Sequence, residues 1–449
     1  MPVKEDKAFM KREMPDLRSF MSSVFSKPEK NVTETENPKI RLGTNQKTGE
    51  PIYWMPWDGT QMHACVLGAP GTGKTQLIQS VIVQLLRQHR DMGILVLDFK
   101  GDYNESRPGF VEVTQARVLK IHHLSLNPFA LRDMEQVPQL HVHTAMNFAD
   151  AMAGSYNLDP IQKSTLVQSV MAAYAECGIT EDPRTWSRPA PTLAQVIREY
   201  QERPSSQHND SLEHILENLA AMELFSGEGD GMDHYGSFRG VAVLDLSGYA
   251  DPVKNLAAMV ILGKFCDRMA GSAPAEGLEK LVLVDEADDI LSRGCPVLKR
   301  IIQEGKDQGV GVMLSARHPD FLRTMGFDCR DHIRLWLVHY LEELRRADLE
   351  YILRAEPFDN RVEQLYQHIR RMEQHESALL GQGEPVPMEN LPFRDISADT
   401  AQTYLNQDDP EQEEELLAGM PELDVFHLEA FDLEEDIQLE TLDIFEEMV

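Results

Sequence analysis

The chain has 449 residues, 42% of them hydrophobic and 26% charged, the balance of a soluble globular protein long enough for two or three packed domains. Its 43 Lys+Arg against 74 Asp+Glu give a net charge of −31, which excludes a surface that coats nucleic acid or anionic membrane over its whole extent. More than half of that excess lies from Asp408 onward, where 17 acidic residues stand with no Lys or Arg, so the body is only mildly acidic. Cys65, Cys177, Cys266, Cys295 and Cys329 are dispersed without Cys-x-x-Cys spacing, which argues against a disulfide framework or a zinc site. The mixed-charge N-terminus lacks the apolar core of a signal peptide, and no apolar run approaches the ~20 residues needed to span a bilayer. The expectation is a reduced, cytoplasmic protein with no membrane partner.

Residues 1–38 read as a polar leader with one amphipathic patch (Leu17, Phe20, Met21, Val24, Phe25), either a docking helix or a helix lying on its own domain. Residues 39–131 read as the first part of an α/β core. Two short strands, Lys39–Leu42 and Pro51–Trp54, flank a Gly- and Asn-containing turn. Ala64–Leu67 and Gly93–Asp98 are continuous apolar runs suited to parallel strands buried on both faces, and Gly73–Gln88 between them is amphipathic at helical period.

From 132 to 236 the period is helical throughout, which predicts an all-helical insert. Asp159-Pro160 supplies an N-cap with proline at the first helical position, and Thr192-Leu193-Ala194-Gln195 is a capping box. From 237 to 396 strand signals return at Gly240–Asp245, Leu281–Asp285, Val310–Ser315 and His332–His339. Helices are expected at Val253–Met269, Val297–Lys306, Asp320–Phe327, Leu341–Arg354 and Asn360–Glu376, with a last strand or lid in Ser377–Leu380 and Pro385–Pro387. Strands alternating with helices predict a mainly parallel sheet covered on both faces. Residues 397–449 form an acidic tail with interleaved Leu, Ile and Phe, read either as disordered or as a segment that docks on a partner or covers a basic pore.

The residues that carry chemistry begin at Gly68-Ala69-Pro70-Gly71-Thr72-Gly73-Lys74-Thr75, a complete G-x-x-x-x-G-K-T phosphate loop between a strand and a helix. Its glycines let backbone N–H groups surround phosphates at the positive end of the helix, which continues with Gln76. Lys74 is the candidate for the β- and γ-phosphates and Thr75 for Mg²⁺. The strand Leu281–Val284 runs into Asp285-Glu286, with Asp285 a second candidate for Mg²⁺ and Glu286 the candidate to polarise attacking water. Together they predict ATP hydrolysis. Asp98-Phe99-Lys100 has the D-x-K look of a nuclease core, but its place at a strand end beside the phosphate loop explains it better. Lys299-Arg300 with Lys306, and Arg345-Arg346 with Arg354, are candidate basic clusters, each more readily a solvated helix face.

The order of four motifs resembles the HerA/FtsK superfamily of hexameric P-loop DNA pumps, which includes conjugative coupling ATPases. The motifs are Gly68–Thr75, Leu97–Tyr103, Val243–Ser247 and Val284–Asp289, preceded by Ile40-Arg41-Leu42-Gly43 and Gly49–Trp54. Asp98–Tyr103 followed by Leu126-Asn127-Pro128-Phe129 is similar to the HerA-type ATPase of phosphorothioation-dependent restriction. The resemblance implies a RecA-like P-loop fold, ATP with Mg²⁺, a homo-hexameric ring, duplex DNA as partner and an effector or nuclease partner protein. It also implies a γ-phosphate sensor in a Gln-Arg-Pro and an arginine finger in a Gly-Arg. Here those positions read Ser315-Ala316-Arg317-His318-Pro319 and Gly305-Lys306, so Ser315, Arg317 and Lys306 become the substitutes. An ATP-gated assembly switch that moves no DNA, and a conjugative-type transfer motor, are the alternative functions.

Overall fold

The computed structural model describes residues 39–396 except 124–125, 132–138, 205–209, 226, 228–237, 276, 294, 322–326 and 382. The amphipathic leader patch, the acidic tail and most of the expected Asp320–Phe327 helix lie outside the described residues.

Eleven strands form one mixed sheet in the order β2-β1-β11-β10-β9-β3-β8-β7-β4-β6-β5. In chain order the strands are β1 (Ile40–Asn45), β2 (Pro51–Trp54), β3 (His63–Leu67), β4 (Gly93–Asp98), β5 (Arg117–Lys120) and β6 (Gly240–Asp245). They continue with β7 (Lys280–Val284), β8 (Val310–Ala316), β9 (Ile333–Val338), β10 (Glu376–Leu380) and β11 (Val386–Asn390). From β9 to β5 neighbours run parallel, while β10, β11, β1 and β2 extend one side with antiparallel pairs. The hairpin expected at 39–54 forms, and β1 also pairs with β11.

Helices cover both faces. They are α1 (Lys74–Gln88), α2 (Pro108–Thr114), α3 (Leu140–Tyr156), α4 (Pro160–Glu176), α5 (Leu193–Gln201), α6 (Asp210–Ala221) and α7 (Asp251–Ala270), then α8 (Asp288–Ser292), α9 (Pro296–Glu304), α10 (Arg346–Leu353) and α11 (Asn360–Ile369). Successive strand residues point to opposite faces, so β3 sends Ala64 and Val66 into one core with Leu77, Ile78, Val81 and Ile82 of α1. Cys65 and Leu67 enter the other core, shared with α3 to α7 and α9. This two-sided burial is why the central strands read as unbroken apolar runs. The expected caps of α4 and α5 form, Asp159 with Gln162 and Thr192 with Gln195.

Three helix expectations need correcting. The helix expected over Leu341–Arg354 starts only at Arg346, where Arg345 and Asp348 cap its first turn reciprocally. The one expected over Asn360–Glu376 ends at Ile369, and after a turn with left-handed His375 (φ 68°) Glu376 opens β10. The one expected over Val297–Lys306 ends at Glu304 and passes into a short 3₁₀ turn, Gly305–Gln308. The short strand β5, half-buried and without alternation, and α2 carry no periodicity that announces them. Among the described residues no helix is long and apolar enough to cross a membrane.

Candidate ATPase site

The site lies where the parallel strands end. Gly68 N–H donates to Ala316 O (3.1 Å) and Ala69 N–H to Tyr340 O (2.8 Å), so the loop after β3 is laced to the ends of β8 and β9. Thr72 Oγ1 donates to Ala69 O across the loop (2.8 Å). Gly73 is left-handed (φ 101°), and a Cβ there would lie 2.6 Å from His375 Nδ1; only glycine fits both constraints. Inside the loop the Lys74 ammonium donates to the carbonyls of Gly68 and Ala69, and burial lowers its pKa against the opposing pull of Glu286 and Asp285.

Pro70, Gly71, Gly73, Lys74, Thr75 and Gln76 line a cavity of about 490 Å³ together with Lys100, Glu286, Gln374 and Phe393. Asp285 is buried, and burial pushes its carboxyl up to about 7, with the Ser315 hydroxyl opposing the shift and nearby Glu286, Asp98 and Asp102 adding to it. It makes no ion pair among the described residues, and its charged surroundings combine Glu286, Asp98 and Asp102 with the Lys74 ammonium. A buried carboxylate in that field, with Thr75 in the first turn of α1 lining the cavity, suits a hard divalent cation with oxygen ligands. No group of three or more His, Cys, Asp or Glu among the described residues forms a separate metal cage.

Glu286 turns sharply away from the strand with φ 50°, a conformation uncommon for a non-glycine residue. Its carboxylate, 8% exposed, is ion-paired on one oxygen with Lys100 and on the other with Arg317. Arg317 is aimed by Asp288, whose carboxylate accepts the backbone N–H groups of Arg317 (2.8 Å) and His318 (2.8 Å).

The structure therefore brings Gly68–Gln76, Ser315, Asp285, Glu286 and Arg317 together. Gln76 has a second task, since its Oε1 accepts the Arg394 N–H (3.2 Å) and ties the segment after β11 to α1. Arg317 faces the acidic pair of its own chain. Lys306 does not join them; it lies near His63 at the opposite end of the parallel strands. Asp98 is no nuclease ligand, because its carboxylate is occupied by the backbone N–H groups of Lys100, Gly101, Asp102 and Tyr103. In the basic clusters Arg300, Arg345, Arg346 and Arg354 each pair with a carboxylate, as solvated faces do.

Sequence reasoning missed Lys100 as a member of the site, although its motif was visible, and it missed His339 and His375. Both histidines meet the back of the loop at Thr72 O: His375 through its backbone N–H at 3.0 Å, His339 through Nδ1 at 3.3 Å.

A fold with the phosphate loop after β3 and the acidic pair after β7, two parallel strands with β8 between them, defines a RecA-like P-loop ATPase, with ATP and Mg²⁺ as its nucleotide and metal. Residues 40–265, just over half of the chain, match the family model "Helicase HerA, central domain". The chain belongs to that family. The match ends before Asp285 and Glu286, which the fold brings beside the matched phosphate loop. Among solved structures the chain is similar to VirB4 of Thermoanaerobacter pseudethanolicus (14% identity, 80% of this chain and 97% of that chain, TM-score 0.62). It is also similar to the plasmid coupling protein TrwB in complex with ADP and Mg²⁺ (12% identity, 80% and 89% covered, TM-score 0.50). At these identities the likeness is one of fold. No curated protein sequence matches.

Proposed function

We propose that this ATPase is a DNA-translocating motor that works as a homo-oligomeric ring, a hexamer by analogy with the superfamily it resembles. The observation that carries the reading is the convergence of Lys74, Thr75 and Glu286 on one cavity, with Asp285 buried next to Glu286. In this proposal 39–131 and 237–396 build the motor core, 132–236 is its helical insert, and an effector or nuclease partner belongs to a DNA-processing or defence complex.

The loop from Gly68 to Gln76 binds the triphosphate, with the Lys74 ammonium drawn from its own loop carbonyls to the β- and γ-phosphates. Thr75 and Asp285 would hold Mg²⁺, which would supply neutralisation of phosphate charge when bound. Glu286 orients the attacking water and takes its proton as the water oxygen bonds to the γ-phosphorus and the bond to the β–γ bridging oxygen breaks. Ser315, at the end of β8, senses the γ-phosphate. Arg317 stabilises the transferring charge within its own subunit, the assignment its pairing with Glu286 supports. Lys306, remote from its own cavity, is left as the cation for a neighbour.

A second reading, a conjugative-type DNA transfer ATPase, draws support from the likeness to VirB4 and to a plasmid coupling protein. Both readings predict that long linear duplex DNA stimulates ATP turnover, measured against Lys74→Ala as the blank. Turnover above that blank but indifferent to DNA would instead indicate a switch that recruits an effector.

A further inference from the structure

The loop after β4 is built around Asp98. Its Oδ1 accepts the N–H groups of Lys100 (3.2 Å), Gly101 (2.7 Å) and Asp102 (3.1 Å), and its Oδ2 accepts that of Tyr103 (2.9 Å). Gly101 supplies the left-handed turn (φ 86°), and an added Cβ would press on Asn104 Nδ2 at 2.8 Å. Asn104 is itself held by Asp245 at the end of β6 (3.1 Å). A buried anion, a glycine and the adjoining strand thus fix six residues so that Lys100 lines the same cavity as Lys74 and Thr75. Its ammonium, on a side chain 40% exposed, reaches Glu286, which is 8% exposed.

We infer that Lys100 is a positioning residue for ATP hydrolysis, holding the Glu286 carboxylate toward the phosphate end of the cavity and offsetting its repulsion from the triphosphate. The inference rests on the reading of Glu286 as the group that directs water. A carboxylate and a triphosphate in one cavity repel, and without a compensating cation the glutamate turns outward to solvent. Arg317 covers one carboxylate oxygen from a turn pinned by Asp288. Lys100 covers the other oxygen with a point charge on a flexible stem, which can follow the carboxylate as a water takes its place beside it.

The test is steady-state hydrolysis and ATP-analogue binding by the full chain for Lys100→Met, Lys100→Arg, Glu286→Gln and the Lys100→Met/Glu286→Gln pair, with thermal melting of each. The expected result is a 10- to 100-fold fall in kcat for Lys100→Met, with KM and analogue affinity within about threefold of the parent. Lys100→Arg should recover most of the rate, and Lys100→Met should add nothing in the Glu286→Gln background. Normal hydrolysis by Glu286→Gln would instead sink the reading of Glu286. A low rate for Glu286→Gln, with Lys100→Met either neutral or equally harmful in both backgrounds, would overturn the role of Lys100 alone. A loss of analogue affinity like that of Lys74→Ala would also overturn it, making Lys100 a phosphate binder.

Discussion

The backbone N–H of His375 donates to the carbonyl of Thr72 at 3.0 Å, so the turn that leads into β10 braces the phosphate loop from behind. The same histidine leaves no room for a side chain at Gly73. Gly73→Ala adds a contact of 2.6 Å and a left-handed alanine, and ATP-analogue affinity should fall at least about tenfold, the equivalent of ~1.4 kcal/mol. Adding His375→Ala relieves the contact but not the backbone strain, so titration calorimetry should show partial recovery only.

Glu286→Gln keeps the size of the side chain but removes the base. Its kcat should drop by about 10²–10⁴-fold, the usual share of a general base, while nucleotide still binds. Lys74→Ala should lose binding itself. Filter binding of labelled ATP beside phosphate release separates the two outcomes.

Asp288 accepts two backbone N–H groups and thereby aims Arg317. Asp288→Ala leaves both donors without their charged acceptor, a loss of about 1.5–3 kcal/mol for bonds of this kind. Urea denaturation should show that loss, and kcat should fall with it because Arg317 is released from Glu286. Unchanged hydrolysis by Asp288→Ala would mean that Arg317 needs no such aiming.

Two buried histidines make stability depend on pH. Burial, helped by the charges of His332 and Lys306, pushes His63 down to about 4; burial and the charge of Lys74 push His339 down to about 3. Their folded pKa values lie below the unfolded value near 6.5, so the unfolded chain takes up protons first on acidification. Stability is therefore present above ~6.5 and lost as pH falls, by roughly 2 kcal/mol per histidine at pH 5. Asp285, pushed up to about 7, works in the opposite direction. The histidine effect is best read as a difference: between pH 7 and pH 5, His63→Gln should lose less stability than the parent.

The phosphate loop and the acidic pair were legible in the sequence because each is contiguous, a strand end plus the residues that follow. The buried parallel strands were legible for the same reason, since two-faced burial leaves an unbroken apolar run. Lys100 was visible as part of a motif but not as a partner of Glu286, because an ion pair between two strand ends depends on the order of strands in the sheet. His375 and His339 carried no signal; their contacts with Thr72 join segments far apart in the chain. The helix over 341–354 was overextended because Leu341 and Leu344 are buried as a helix face would be, whereas the cap at Arg345 fixes the true start.

Strand β1 lies between β2 and β11, and β10 carries the turn that braces the phosphate loop. The first strand of the sheet therefore waits for the last. As the chain emerges during synthesis, the β1–β2 hairpin can close early, but its inner edge stays open until Asn390 has been made. Such long-range pairing slows folding, and it makes the nucleotide site a late product of assembly. A nascent chain that has reached only α11 has its whole phosphate-loop sequence but still lacks the brace from His375.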